Sequence, residues 1–371
     1  VRLLLELGQL SLMTSQIIWW LLVYQPERLG NLMERICVIA EAGVNHNGSI
    51  LLAKKMIDTA VTAGADYIKF QTFIPKNMVS SGAKKAEYQI KAEQKSEHEN
   101  NQEESQLEML NRLSLTFDDF IELKKYATGK GIGFLSTPFD LESIEFLKTL
   151  DLDFWKLPSG EITNLPYLEA LANTGKPIVM STGMCSMEEV EAAYQILKEN
   201  GAKKITILQC NTEYPTPYSD VNLRAMKTMA DRFHCPVGYS DHTQGLAMSI
   251  AAAALGAIII EKHFTLDRTM EGPDHRASLE PEELEDLILA LRQVELGLGS
   301  EVKKPSPSEV NNRIAARKSI VAAKDINKNV VFTVDNLTTK RPGSGLSPMK
   351  WYELLGTCAT KDYKMDDLID E

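Results

Sequence analysis

The chain has no cysteine pairing pattern, no apolar run long enough to cross a bilayer and no excess of positive charge. Its five cysteines, Cys37, Cys185, Cys210, Cys235 and Cys358, are odd in number and form no CxxC pair. That excludes a disulfide framework and points to a reducing, cytoplasmic setting. The strongly apolar stretch IIWWLLV at 17–23 spans seven residues, whereas a membrane-spanning helix needs roughly 20. The first residues also lack the basic start and small-residue cleavage site of a signal peptide. No membrane role is expected. The formal net charge is −11, which removes support for a nucleic-acid partner. No GxGxxG follows the first strand and no GxxxxGK[ST] occurs anywhere, so neither a dinucleotide fold nor a nucleotide P-loop is expected.

What the chain does have is a repeat. From residue 36 onward, short β-branched apolar runs alternate with polar clusters and helical stretches: ICVIAEAG, YIKFQTF, GFLSTPFD, FWKLPSGE, PIVMSTGM, ITILQCNTEYP, PVGYSDHT and AIIIEKHFT. The segments between them, such as LLAKKMIDTAVTAGA, carry apolar residues at helical spacing. Strands alternating with helices imply a parallel sheet, and eight such units predict an α/β fold closed as a (β/α)8 TIM barrel. The expected division is an atypical extension over 1–32, a barrel over 33–302, a Pro/Ser-rich linker over 303–313 and a small β-rich domain over 314–371. About 60 residues is marginal for an independent core, so the last domain is expected to lean on something else. Residues 80–106 form a very polar insertion after the second strand, either a solvated surface segment or a cover over the barrel mouth.

Active sites of such barrels are built at the C-terminal ends of the strands. Those ends carry Glu41, Asn45 and His46; Lys69 and Gln71; Ser136 and Thr137; Lys156, Ser159 and Glu161; Ser181 and Thr182; Asn211, Thr212 and Tyr214; and Ser240, Asp241, His242, Lys262 and His263. Any one of these could be a satisfied core residue, but polar groups on all eight strands are costly without a ligand. Lysines with serines and threonines suit an anion such as phosphate or carboxylate. His242 and His263, on adjacent strands, suit a divalent metal with open positions that polarises a carbonyl oxygen. A Schiff-base aldolase using Lys69, Lys156 or Lys262 is the rival from another enzyme class, and a non-enzymatic sugar- or ice-binding protein is a third reading.

The motifs IAEAGVNHNG, KFQTF, STPFD, WKLPSGE, STGM, CNTEYPTPY, GYSDHT, EKHFT, GPDHRASL and KRPGSG resemble those of the sialic-acid (nonulosonate) synthase family over about residues 34–371. The tail is similar to that family's antifreeze-like SAF (β-clip) domain. The resemblance implies a transferase that condenses phosphoenolpyruvate with the open-chain aldehyde of an N-acetylated hexosamine. Water attacks C2, C3 forms the new carbon–carbon bond and phosphate leaves, with Mn2+ or Mg2+ as cofactor. It implies His242 and His263 as metal ligands. Lys69, Thr137, Lys156, Ser159, Ser181, Asn211 and Ser240 would hold phosphoenolpyruvate. Gln71, Tyr214, Asp274 and Arg341 would hold the sugar, Glu41 would act on the sugar or the attacking water, and a domain-swapped homodimer would bring Arg341 to its partner's site. Sialic-acid enzymes of this kind read CTNxYPTP at strand six, whereas this chain reads CNTEYPTP, an exchange that looks more like the synthases of N,N'-diacetyllegionaminate. A phosphoenolpyruvate-dependent aldol synthase acting on a phosphorylated sugar is the closest alternative.

Overall fold

The computed structural model describes residues 35–80, 83 and 105–370. The expected N-terminal extension and nearly all of the polar insertion lie outside the described residues. Two compact units divide after Gly299.

In the first unit, eight parallel strands run in the order β3-β2-β1-β8-β7-β6-β5-β4. They are β1 (Cys37–Gly43), β2 (Tyr67–Thr72), β3 (Gly133–Pro138), β4 (Trp155–Leu157), β5 (Ile178–Ser181), β6 (Ile205–Cys210), β7 (Val237–Asp241) and β8 (Ile259–His263). β3 and β4 lie beside each other at the two ends of that order, so the sheet is a nearly closed barrel, as the eightfold repeat predicts. The first crossover helix, Ile50–Ala63, starts where the Ser49 side chain accepts from the Leu52 N–H and ends at Gly64, whose φ of 85° suits glycine.

The period of two along a strand sorts side chains between barrel interior and helix layer. Ile39, Leu135, Val179, Leu208 and Ile259 form an apolar plug inside the barrel. Two residues further along the same five strands stand Glu41, Thr137, Ser181, Cys210 and Glu261, so the next inward layer is mostly polar. The alternate set, including Ala40, Ile68, Phe70, Phe134, Met180, Ile207 and Ile260, packs against the surrounding helices in the main core.

This sorting corrects part of the expected polar ring. Asp241 and Lys262 belong to the alternate set. Their charged groups are 3.0 Å apart and both side chains are fully buried. Asp241 accepts from Ser249 Oγ at 2.6 Å and from the Thr243 N–H and hydroxyl at 2.8 Å each. Lys262 Nζ donates to the Thr243 carbonyl. The pair ties β7 and β8 to the helix Ala247–Ala254 and takes no part in the site. Ser136 shares a 2.6 Å hydrogen bond with Thr72, and the Thr182 hydroxyl donates to the Leu208 carbonyl.

The second unit has an antiparallel pair, β9 (Ser319–Ala322) and β10 (Leu337–Lys340), with Leu337 opposite Ala322. Its own core holds Ile320, Ile326, Phe332, Leu337, Leu346, Tyr363 and Ile369. The Pro/Ser stretch expected as a linker is partly regular, with a 3-10 turn at Pro307–Glu309 and a helix at Val310–Ala316. Arg341 is exposed, and its Nε donates to the Ala316 carbonyl at 3.1 Å. Among the described residues, no helix is long and apolar enough to cross a membrane.

Candidate active site

At the C-terminal ends of the barrel strands lies a cavity of about 420 Å³. A second cavity, of about 510 Å³, opens at the other end among Ile36, Cys37, Tyr67, Phe154 and Ile258. Its Asp66 is tied to Arg35 and Arg292 at 3.0 and 2.9 Å and its Tyr67 hydroxyl to Asp153. That end of a barrel serves stability.

The floor of the first cavity is a buried quartet of charges. Lys69 Nζ stands 2.6 Å from Glu41 Oε2 and 3.6 Å from Glu261 Oε2, and it donates to Thr137 Oγ1 at 3.0 Å. Lys156 Nζ lies 3.1 Å from Glu261 Oε1, which also accepts from Ser240 Oγ at 2.8 Å. Gln71 Nε2 donates to Glu41 Oε1 at 3.3 Å. Burial alone would raise the Glu261 carboxyl, but the ammoniums of Lys156 and Lys69 and the Ser240 hydroxyl outweigh it and hold the group at about 2. Glu41 goes the other way: burial, reinforced by Glu261, pushes it up to about 7 against the pull of Lys69. Burial works against the Lys69 charge too, yet its two carboxylate neighbours leave it raised. Lys69 and Glu261 therefore keep their charges at neutral pH, while Glu41 sits at the edge of protonation. The quartet can change its net charge by one unit without moving a heavy atom.

Ser159 and Ser181 edge this floor. Ser159 Oγ accepts from the Gly183 N–H at 2.8 Å, and the buried Ser181 Oγ has no hydrogen-bond partner. A Cβ at Gly183 would stand 2.8 Å from Thr212 Cγ2 and 3.0 Å from Ser159 Oγ, so glycine is required for this close approach.

Above the floor, the rings of His242 and His263 lie 5.3 Å apart between centroids. His242 Nδ1 donates to the Asn211 carbonyl at 2.5 Å, which leaves Nε2 to accept from the Tyr214 hydroxyl at 3.0 Å. The Tyr214 ring stacks on His242 at 4.0 Å. His263 Nδ1 is buried without a hydrogen-bond partner, 4.0 Å from Asp274 Oδ2. Burial, with the nearby His242 and Lys69, pulls its pKa well below the ordinary histidine range, and burial pushes Asp274 up to about 6. Among the described residues no group of three or more His, Cys, Asp or Glu could hold a metal ion. Two imidazoles nevertheless converge, one with an orphaned nitrogen and a neutral ring, the other oriented by a backbone carbonyl as metal-binding histidines are. These donors fit a divalent ion that takes its remaining ligands from water or substrate.

Of the residues singled out in the sequence, Glu41, Lys69, Gln71, Thr137, Lys156, Ser159, Ser181, Tyr214, Ser240, His242, His263 and Asp274 all line this one cavity. Asn211 does not. Its Oδ1 accepts from the Glu213 N–H at 2.8 Å and from the Thr216 hydroxyl at 3.4 Å, so the side chain folds back onto its own loop while Thr212 faces the cavity. Asn45 and Glu161 are also absent from the lining: Asn45 Nδ2 donates to the Phe264 carbonyl and Ser278 Oγ, and Glu161 accepts from Asn164. His46 packs against Phe70. Arg341 belongs to the second unit. The residue that the sequence reading passed over is Glu261. Counting in twos from Ile259 puts it on the inward face with His263, and that signal was there to be read.

Residues 56–303 match the NeuB family and residues 317–370 the SAF domain. The chain is similar to the N,N'-diacetyllegionaminic acid synthase of Campylobacter jejuni, with 52% identity over 91% of this chain and 100% of that protein. It is 44% identical to the protein of the same name from Legionella pneumophila, over 86% of this chain and 89% of the relative. Among solved structures, it resembles N-acetylneuraminic acid (sialic acid) synthetase from Leptospira borgpetersenii, crystallised with citrate. That likeness has a TM-score of 0.66 and 33% identity, over 76% of this chain and 93% of the other.

The position of Glu41 carries a pH signature. A carboxyl raised from 4.5 to about 7 favours the folded state while protonated. Its contribution is complete below about pH 4.5 and is lost as pH rises through about 7. Glu41→Gln stays neutral and escapes that loss. Urea unfolding of the two proteins is expected to shift in favour of the variant between about pH 5 and pH 8. A stability difference that does not move with pH would contradict the assignment.

Proposed function

The chain belongs to the NeuB family of enzymes, and on that premise we propose that it is a phosphoenolpyruvate-dependent nonulosonate synthase. The observation that carries this reading is the convergence of two ammoniums, four Ser/Thr hydroxyls and two imidazoles in one cavity. Lys69 and Lys156, with Thr137, Ser159, Ser181 and Ser240, are suited to the phosphate and carboxylate of phosphoenolpyruvate. Gln71, Tyr214 and Asp274 are suited to hold the acceptor over it.

In the reaction, water adds its oxygen to C2 of phosphoenolpyruvate and C3 bonds to the aldehyde carbon. The aldehyde oxygen takes a proton to become a hydroxyl, and phosphate leaves with its C2–O bond broken. The products are a 2-oxo acid and inorganic phosphate. Glu41 can accept or give a proton near neutral pH, which suits it to serve the attacking water or the sugar. Ionised Glu261 keeps Lys69 and Lys156 together until the anion binds. His242 and His263 would hold a divalent cation, Mn2+ or Mg2+, which when bound supplies Lewis-acid polarisation of the aldehyde oxygen.

For the acceptor we favour 2,4-diacetamido-2,4,6-trideoxymannose, giving N,N'-diacetyllegionaminate, because the relatives at 52% and 44% identity bear that product's name. The likeness to an N-acetylneuraminic acid synthetase favours N-acetylmannosamine as the second reading. Phosphate release from phosphoenolpyruvate, assayed with the two sugars in parallel, tests both. Turnover is expected with at least one of them, to stop in excess EDTA and to return with Mn2+ or Mg2+. His242→Ala and His263→Ala should each lose most of it. Full activity in EDTA, or in either variant, would remove the metal from the account.

The SAF unit offers Arg341 on an exposed turn, and we extend the proposal to a two-fold homodimer in which that arginine completes the sugar site of the other subunit. Mixed dimers of Arg341→Ala and His242→Ala subunits, each inactive alone, should then regain activity, since one of their two sites is intact. No recovery once subunit exchange has been demonstrated would place Arg341 in its own chain's site or outside catalysis.

A further inference from the structure

Tyr214 reaches both histidines. It stands on the loop that follows β6, and that loop grips His242 at three points. The His242 carbonyl accepts from the Thr216 N–H at 2.9 Å. Its Nδ1 donates to the Asn211 carbonyl at 2.5 Å. Its Nε2 lies 3.0 Å from the Tyr214 hydroxyl. The Tyr214 ring stacks on the His242 ring at 4.0 Å between centroids and meets the His263 ring edge-on at 5.6 Å. A further bond joins the loops after β6 and β7, from the Tyr218 hydroxyl to the Gln244 carbonyl at 3.0 Å.

These contacts are not equivalent. A backbone carbonyl can only accept, so the bond to Asn211 puts the ring hydrogen on Nδ1 and leaves the Nε2 lone pair for a cation. The contacts through the His242 carbonyl and Nδ1 do not use that lone pair, so they are compatible with a bound ion. The Tyr214 hydroxyl uses the lone pair itself. One lone pair cannot serve a hydroxyl proton and a divalent ion together, so an ion at Nε2 has to displace the hydroxyl. Tyr214 is half-buried and lines the cavity, so space for the displaced hydroxyl lies beside it. His263 offers a contrast. Its Nδ1 is buried without a hydrogen-bond partner, and a buried polar atom in that condition costs free energy. Tyr214 spares His242 Nε2 that cost.

We infer that the Tyr214 hydroxyl competes with the divalent cation for His242 Nε2, and that loading the cation releases this hydroxyl to the acceptor. The inference rests on the metal reading of the histidine pair. It goes beyond that reading by giving Tyr214 a role in loading the ion. The hydroxyl keeps the imidazole partnered and oriented while the ion is away, and it weakens ion binding by the strength of one hydrogen bond. A readily exchanged ion follows. The same oxygen is engaged on His242 until an ion displaces it, so the ion prepares Tyr214 for the sugar as well as polarising the aldehyde.

The test is Mn2+ binding by the full chain without substrates, followed by the loss of the free ion's electron paramagnetic resonance signal at one pH. Tyr214→Phe keeps the stacked ring and deletes the hydroxyl. It is expected to bind Mn2+ about three- to tenfold more tightly than the wild type. A tyrosine that only positioned the histidine would give the opposite sign, with weaker binding in the variant. At saturating Mn2+ the variant's KM for whichever sugar turns over should rise by about three- to tenfold, because the released hydroxyl is missing. Equal or weaker Mn2+ binding in folded Tyr214→Phe, with wild-type binding abolished by His242→Ala, would overturn the competition and leave the metal reading standing. An unchanged sugar KM would overturn the release to the acceptor. A wild type that binds no Mn2+, or binds it equally well after His242→Ala, would overturn the inference and the metal reading together.

Discussion

Everything in the barrel mouth depends on four charges kept away from water: Lys69, Lys156, Glu41 and Glu261. Each side chain is no more than 5% exposed. Buried ion pairs of this kind are weak sources of stability, because the cost of dehydrating two ions roughly cancels their attraction. Their value here is preorganisation. Two ammoniums can be held a few ångströms apart in a dry cavity only if carboxylates share the space, and Glu261 touches both. On the reading proposed above, a trianion would find the lysines already gathered and desolvated, so binding would not have to bring them together.

The fold makes this possible by layering. Below the quartet, the Ile39, Leu135, Val179, Leu208 and Ile259 plug fills the barrel interior. Above it stand the histidine pair and the Tyr214 ring that stacks on His242. Beside it stands an apolar wall of Val44, Met78, Met109, Leu110, Leu113 and Phe139. The cavity of about 420 Å³ thus has three chemically different surfaces. The Asp241–Lys262 pair behind β7 and β8 anchors the two strands that carry the histidines. It sets a structural lysine next to a cavity-lining histidine in the sequence.

Much of this was legible in the chain. Eight β-branched runs with helical spacers read directly as a parallel barrel, and the polar residues at their ends marked the mouth. What blurred the reading was the strict alternation of strand side chains. EKH at 261–263 holds two inward residues with an outward lysine between them, and a list of polar strand ends does not separate them. Asn211 failed for a different reason. An asparagine followed by a turn satisfies its own carbonyl oxygen on the N–H two residues on, as it does here with Glu213, so it had no need of a ligand. The apolar wall was invisible because no single motif contains it; it exists only once three loops and a capped helix are brought together.

The central claim is that the quartet is a seat for phosphoenolpyruvate. The most direct test is the apparent KM for phosphoenolpyruvate in Lys69→Ala and Lys156→Ala, measured beside that for the sugar. A charge-assisted hydrogen bond contributes roughly 1.5–3 kcal/mol, so each variant is expected to need about ten- to hundredfold more phosphoenolpyruvate while its sugar response changes far less. Variants that respond normally to phosphoenolpyruvate and lose only their response to the sugar would contradict the account.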